Sequence, residues 1–162
     1  MRHIINLEVE NNAGVLARIA GLFSARGFNI ETISVGKPEP NATSLMTLVV
    51  RGNDDVIEQV NKQLNKLIDV IRVTDVTKNY YISRDLVLIK VTALAAKRSE
   101  ISQLLTIFGA KVVDISAKTM TLELCSSEAK INAFIETLRP YGIKEIARSG
   151  TIAMLRDSNS EF

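Results

Sequence analysis

The chain holds a single histidine, His3, and a single cysteine, Cys125, so thiol–imidazole chemistry would have to use that pair. A cysteine nucleophile needs an imidazole within hydrogen-bond reach. The two residues lie far apart in sequence. The simpler reading makes His3 an exposed strand end and Cys125 a small core residue. No C-x-x-C or H-x-x-x-H spacing signals a metal. No Gly-rich phosphate loop of either common type occurs. The carboxylate pairs Asp54-Asp55 and Glu8 with Glu10 fall where helix caps and solvated strand faces belong. No catalytic residue and no metal ligand is expected in this chain.

The segment Asn11-Asn12-Ala13-Gly14-Val15-Leu16 offers binding instead. It precedes a run with helical apolar spacing. A helix N-terminus exposes free N–H groups and the positive end of the dipole, and so attracts a carboxylate. Gly14 lacks a Cβ and permits close approach. Asn11 can accept from an ammonium and donate to a carboxylate. Val15, Leu16, Ile30 and Ile33 are available as an apolar wall. The alternative is a plain turn with an asparagine cap. Residue chemistry alone favours that turn.

The surrounding elements follow a pattern that occurs twice. Ile5, Leu7 and Val9 alternate with polar residues, as in a half-buried strand. Val15, Leu16, Ile19, Ala20, Leu22 and Phe23 repeat at helical spacing, and Gly27 ends that helix. Strands are predicted over Phe28 to Val35, Leu45 to Val50 and Val70 to Val76. The last two flank a helix carrying Val56, Ile57, Val60, Leu64, Leu67 and Ile68. The order βαββαβ folds as a four-stranded antiparallel sheet with helices on one face.

The order then recurs. Leu86 to Val91, Val112 to Ile115 and Met120 to Leu124 are predicted strands. Helices are predicted over Ser99 to Phe108 and from Ser126 to Leu138. A last strand runs from Ile143 to Ile152, broken near Ser149-Gly150. Leu22-Phe23-Ser24-Ala25-Arg26 lines up with Ile107-Phe108-Gly109-Ala110-Lys111, which suggests a duplication or two independent solutions of the same fold. The predicted fold class is α+β, two ferredoxin-like βαββαβ halves. Their predicted limits are 1–77 and 85–156, with a linker at 78–84 and a frayed tail at 157–162.

The chain has 162 residues, 46% of them hydrophobic, and a net charge of +2. That charge is scattered, with no basic stripe for nucleic acid. The strands Ile30 to Val35 and Leu45 to Val50, read as central, carry no aromatic platform for RNA bases. No apolar run reaches membrane-spanning length, and no signal peptide is evident. A lone cysteine fits a reducing compartment. A cytoplasmic location is expected, with neither membrane nor nucleic acid as partner.

Asn-x-x-Gly-x-Leu at the junction of first strand and first helix resembles the mark of ACT domains, which bind small amino acids at subunit interfaces. The longer run from Gly14 to Val35 is similar to the small, regulatory subunit of acetohydroxyacid synthase (acetolactate synthase). Lys62 to Val70, Arg84 to Val91, Phe108 to Ile115 and Ile146 to Gly150 extend the likeness over nearly the whole chain. The resemblance implies an N-terminal ACT domain and a homodimer formed through it. It implies valine at that interface, held by Asn11, Gly14, Val15 and Leu16 of one chain and Asn29 and Ile30 of the other. It implies a large catalytic subunit as partner, carrying thiamine diphosphate, magnesium and FAD, with no cofactor on this chain. That subunit would be activated and subjected to feedback inhibition in branched-chain amino-acid biosynthesis. A free-standing ACT-type amino-acid sensor for some other protein is the competing reading.

Two departures stand out. The segment Gly36 to Thr47 differs from the family's usual pattern, which has acidic residues here, and Leu45 stands where an Arg is usual before Met-Thr. This segment is a plausible contact with the large subunit. In the second half, Lys97-Arg98-Ser99 stands against Asn12-Ala13-Gly14, and no second amino-acid site is expected there.

Overall fold

The computed structural model describes residues 1–39 and 43–157. The chain divides into two units. The first holds Met1–Ile82 together with the chain from Thr151 onward, and the second holds Ser83–Gly150.

The first unit runs β1 (Arg2–Glu10), α1 (Val15–Ala25), β2 (Ile30–Gly36), β3 (Thr43–Arg51), α2 (Asp54–Leu64) and β4 (Val70–Asp75). Its antiparallel sheet has the order β2-β3-β1-β4. Ile5 lies opposite Leu48 and Leu7 opposite Met46. These side chains meet Ile19 and Phe23 of α1 and Ile57, Val60 and Leu64 of α2 in an aliphatic core. Strand alternation and helical spacing thus converge on one buried layer.

Local chemistry closes both helices. Asn53 caps α2, its side chain accepting from the Val56 amide at 2.9 Å, with Asp54 and Asp55 in the first turn. At the end of α1, Gly27 adopts φ +69°. Its amide donates to Ser24 and that of Phe28 to Phe23, the two bonds of a Schellman closure. The Phe28 ring meets Phe23 edge-on, with centroids 6.5 Å apart.

The second unit takes up most of β5 (Tyr81–Thr92), then α3 (Arg98–Phe108), β6 (Lys111–Ile115), β7 (Thr119–Ser126), α4 (Glu128–Leu138) and β8 (Ile143–Arg148). The sheet order β6-β7-β5-β8 repeats that of the first unit. Its core gathers Val87, Ile89, Val91, Ile101, Leu122, Phe134 and Leu138. The α+β class with two ferredoxin-like halves is therefore the observed fold. β5 begins at Tyr81, inside the segment 78–84 read as a linker. Of the segment read as a tail, only Asp157 belongs to the described residues.

The repeat aligns differently from the sequence comparison. Gly109, with φ +69°, closes α3 as Gly27 closes α1, and Ala110 donates to Leu105 as Phe28 does to Phe23. Glu10 donates to Asp69 across the sheet end, as Thr92 does to Gly142. Register breaks fall between Ile30 and Thr32 in β2 and between Val112 and Asp114 in β6. Gly27 thus matches Gly109, not Val112. Side-chain likeness had aligned Phe23 with Phe108, whereas backbone geometry matches Phe23 with Leu105.

Three further expectations are corrected. β2 is an edge strand; the central strands of the first sheet are β3 and β1. The stretch 143–152 breaks after Arg148, as expected near Ser149-Gly150, but its second part starts a strand of its own. After β8, a separate β9 (Ile152–Leu155) pairs with β5. Ala153 and Tyr81 cover Ile4, Val49 and Val76 on the sheet face away from the helices of the first unit. There Asn6 donates to the Ala153 carbonyl at 2.8 Å and accepts from Thr47 at 3.0 Å. Finally, the burial of the cysteine and the histidine is the reverse of that expected. His3 is only 3% exposed, because β1 begins at Arg2 and carries His3 into the buried layer. Cys125 is exposed, because Leu122 and Leu124 turn to the helices and put it out of phase.

Candidate functional site

The loop between β1 and α1 is the local feature best suited to hold a ligand. The cap residue of α1 is Gly14, at φ +85° and ψ −6°, and no side chain caps the helix. An asparagine cap is therefore not what the structure shows. Asn12 donates instead to Glu10 at 2.8 Å, and Asn11 accepts from the Ser44 hydroxyl at 3.1 Å. The first-turn amides of Leu16 and Ala17 precede the first helical bond, which runs from Arg18 to Gly14 at 3.0 Å. They are left open to an external acceptor.

Gly14 meets two demands. Its positive φ is a conformation L side chains rarely adopt. A Cβ there would also lie 3.2 Å from Nη1 of Arg18. The Arg18 guanidinium, one turn into the helix, stands beside the loop and pairs through Nε with Asp69 at 2.7 Å. The dipole leaves positive potential at the uncapped helix end, and the charge of the Arg18 side chain beside it is shared with the Asp69 carboxylate.

The other expected site residues take varied places. Val15 turns its side chain into the core, so only its backbone faces the loop. Leu16 is 47% exposed. Ile30 opens β2 and packs partly against the core. Asn29 is exposed. Sequence reasoning missed Arg18, Asp69 and Ser44. The spacing of Arg18, four residues after Gly14, was a usable signal, since such residues stack on one helix face. Asp69 and Ser44 carried none, because their partners are distant in sequence.

The cysteine–histidine option finds no support. Cys125 lies exposed on β7 of the second unit, whereas His3 is buried in the first, with Nε2 3.6 Å from the Asp54 carboxylate. Among the described residues no group of three His, Cys, Asp or Glu side chains could hold a metal ion. No helix among them is long and apolar enough to cross a membrane.

A βαββαβ unit with a glycine-opened, uncapped first helix is the architecture of an ACT domain. Residues 5–72 match the family model described as AHAS small subunit-like ACT domain, and residues 84–157 match that of the small subunit of acetolactate synthase. The probable acetolactate synthase small subunit of Archaeoglobus fulgidus is 51% identical, covering 96% of this chain and 98% of its own. The acetolactate synthase small subunit of Bacillus subtilis is 47% identical, over 99% and 94% of the two chains. The crystal structure of the acetolactate synthase small subunit from Thermotoga maritima superposes with a TM-score of 0.89 at 37% identity, covering 98% of this chain and 99% of that one. The chain belongs to the family of acetolactate synthase small subunits, the regulatory partners of a catalytic large subunit.

Proposed function

We propose that this chain activates its large subunit and carries valine feedback, with valine bound where two first units meet. The observation that carries this reading is the open end of α1 at Gly14, flanked by Arg18. The valine carboxylate accepts from the Leu16 and Ala17 amides near Arg18. Asn11 orients the ammonium end. Asn29 and Ile30 of a second copy complete the site, and the Leu16 side chain contributes apolar wall.

Two features favour dimerisation through this unit. β2 is an edge strand, and its Val35 is 48% exposed. The outward residues of α1 include Ala17, Ala20, Gly21 and Ser24, small enough for a second helix to approach closely. Valine then favours one arrangement of the pair, and that arrangement activates the large subunit less. A coupling of about 1–3 kcal/mol is typical of such linkage. The thiamine diphosphate, magnesium and FAD of the reaction belong to the large subunit in this reading. The second unit lacks the glycine, and Glu100 occupies the place of Arg18, so a carboxylate is not drawn there. The segment Gly36 to Thr47, proposed as a contact with the large subunit, lies partly outside the described residues.

Reconstitution tests the proposal. The large subunit is assayed for acetolactate formation alone, with this chain, and with this chain plus valine. Activity should rise on addition of the chain and fall again with valine. A chain that leaves the rate unchanged, or a stimulated rate indifferent to valine, overturns the corresponding part.

A further inference from the structure

We infer that the second unit carries its own self-association surface, the open edge of β6, and that its occupant is β6 of a second copy. The sheet order ends at β6, which pairs on one side with β7 and on the other with no strand among the described residues. All five of its residues are exposed. Val113 is 49% and Ile115 is 55% exposed, and Ile107, in the last turn of α3 leading into the strand, is 72% exposed. An open apolar edge of this kind is a template for another strand.

The charges on β6 select which strand. Lys111 lies opposite Glu123 and Asp114 opposite Thr121. Met120, Leu122 and Leu124 are buried against the helices. Glu123 and Thr121 therefore lie on the open face, and so do Lys111 and Asp114. Two residues three apart on a regular strand would point to opposite faces. The register break between Val112 and Asp114 brings them to the same one.

The sequence Lys111-Val112-Val113-Asp114 then complements itself in antiparallel pairing. A two-fold axis normal to the sheet, passing between Val112 and Val113, sets Lys111 of each chain opposite Asp114 of the other. Val112 comes opposite Val113 twice. Both ion pairs fall on one face, as cross-strand pairs must. A charged, bulged edge repels most strands; this one admits its own copy. The axis also keeps both α3 helices on the same side of the joined sheet. This inference is independent of the valine site.

The test uses the full chain in two charge-reversed variants, Lys111→Asp and Asp114→Lys. Each alone sets like charges face to face, and should weaken association through this edge about tenfold. Mixed together, the two variants restore both ion pairs. Native mass spectrometry of an isotope-labelled mixture should then show heteromers above their statistical share. Association through the first unit alone gives statistical mixing, so failure here is distinguishable from failure of the valine reading. Statistical mixing, or single variants that associate as the unmodified chain does, overturns the proposal. The milder Lys111→Gln and Asp114→Asn guard against misfolding: each should weaken association, and their mixture should gain nothing.

Discussion

Arg18 donates from Nε to the buried carboxylate of Asp69 at 2.7 Å, tying the first turn of α1 to the loop before β4. The Asp69 carbonyl also receives the Glu10 amide at 2.9 Å, at the end of β1. One residue thus holds both the strand and the helix that bound the Gly14 loop. Replacing Arg18 by Met leaves the Asp69 carboxylate without its cation. The expected loss is about 2 kcal/mol of unfolding free energy in urea titration. Valine affinity should fall about tenfold by calorimetry, as the charge beside the carboxylate is lost.

Gly14→Asp probes the loop from inside. At φ +85° any side chain is strained, and its Cβ approaches Nη1 of Arg18. The cost should be about 1–2 kcal/mol. The new carboxylate competes for the same amides as the ligand. Activation of the large subunit should survive while valine inhibition is lost. Gly14→Ala carries the strain without the charge, and should retain more of the inhibition. If calorimetry shows Gly14→Asp binding valine as before, the site is elsewhere.

In the second unit the Asp85 side chain is almost wholly buried and accepts from Nε of Arg148 at 2.8 Å and also from its Nη2. Ser149 donates to the other carboxylate oxygen at 3.2 Å. Breaking such a pair on one side strands a buried charge, and Arg148→Met should cost about 3–5 kcal/mol. Replacing both partners, with Asp85→Asn and Arg148→Met, should cost less than the single change. Denaturant midpoints of the two variants decide it.

Lys97 bonds to Glu100 at 2.9 Å, and Tyr141 approaches the same carboxylate at 3.4 Å. The Lys97 hydrogen bond holds the Glu100 carboxyl below the usual range, and the same bond raises Lys97. A lowered carboxyl stabilises the fold above its unfolded pKa, and that contribution fades as pH falls through the folded one. A raised lysine contributes below its unfolded pKa and loses this as pH rises through the folded value. The pair therefore acts across neutral pH and weakens at both extremes. In Lys97→Met, the Glu100 carbon-13 titration should move upward. An unmoved titration would assign the shift to another cause.

Much of the architecture was legible because burial repeats locally. Ile5, Leu7 and Val9 fall on the core side, as their alternation requires, and the α2 stripe of Ile57, Val60 and Leu64 is buried as its spacing predicts. Gly27 as a helix stop was readable from residue type alone. His3 and Cys125 were misread for a related reason. Alternation assigns two faces, but a strand's length and partners decide which end is covered.

The candidate loop was legible in part. Gly14 and its neighbours stand out as a strand-to-helix junction, and the likeness to a known family supplied the ligand proposed for it. The choice of cap was not legible, since Asn11 and Asn12 are good caps by type yet spend their side chains on Ser44 and Glu10.

By itself the sequence determined two βαββαβ halves and an aliphatic core. Periodicity and turn residues act over a few positions, and that range suffices for these. Only the tertiary structure decided that β2 and β6 are edges, that one bulge recurs in both, and that β9 returns to the first unit. It alone brought Asp69 to Arg18 and matched Gly27 with Gly109. Those outcomes depend on which distant strands share hydrogen bonds, and strand order is a property of the assembled sheet.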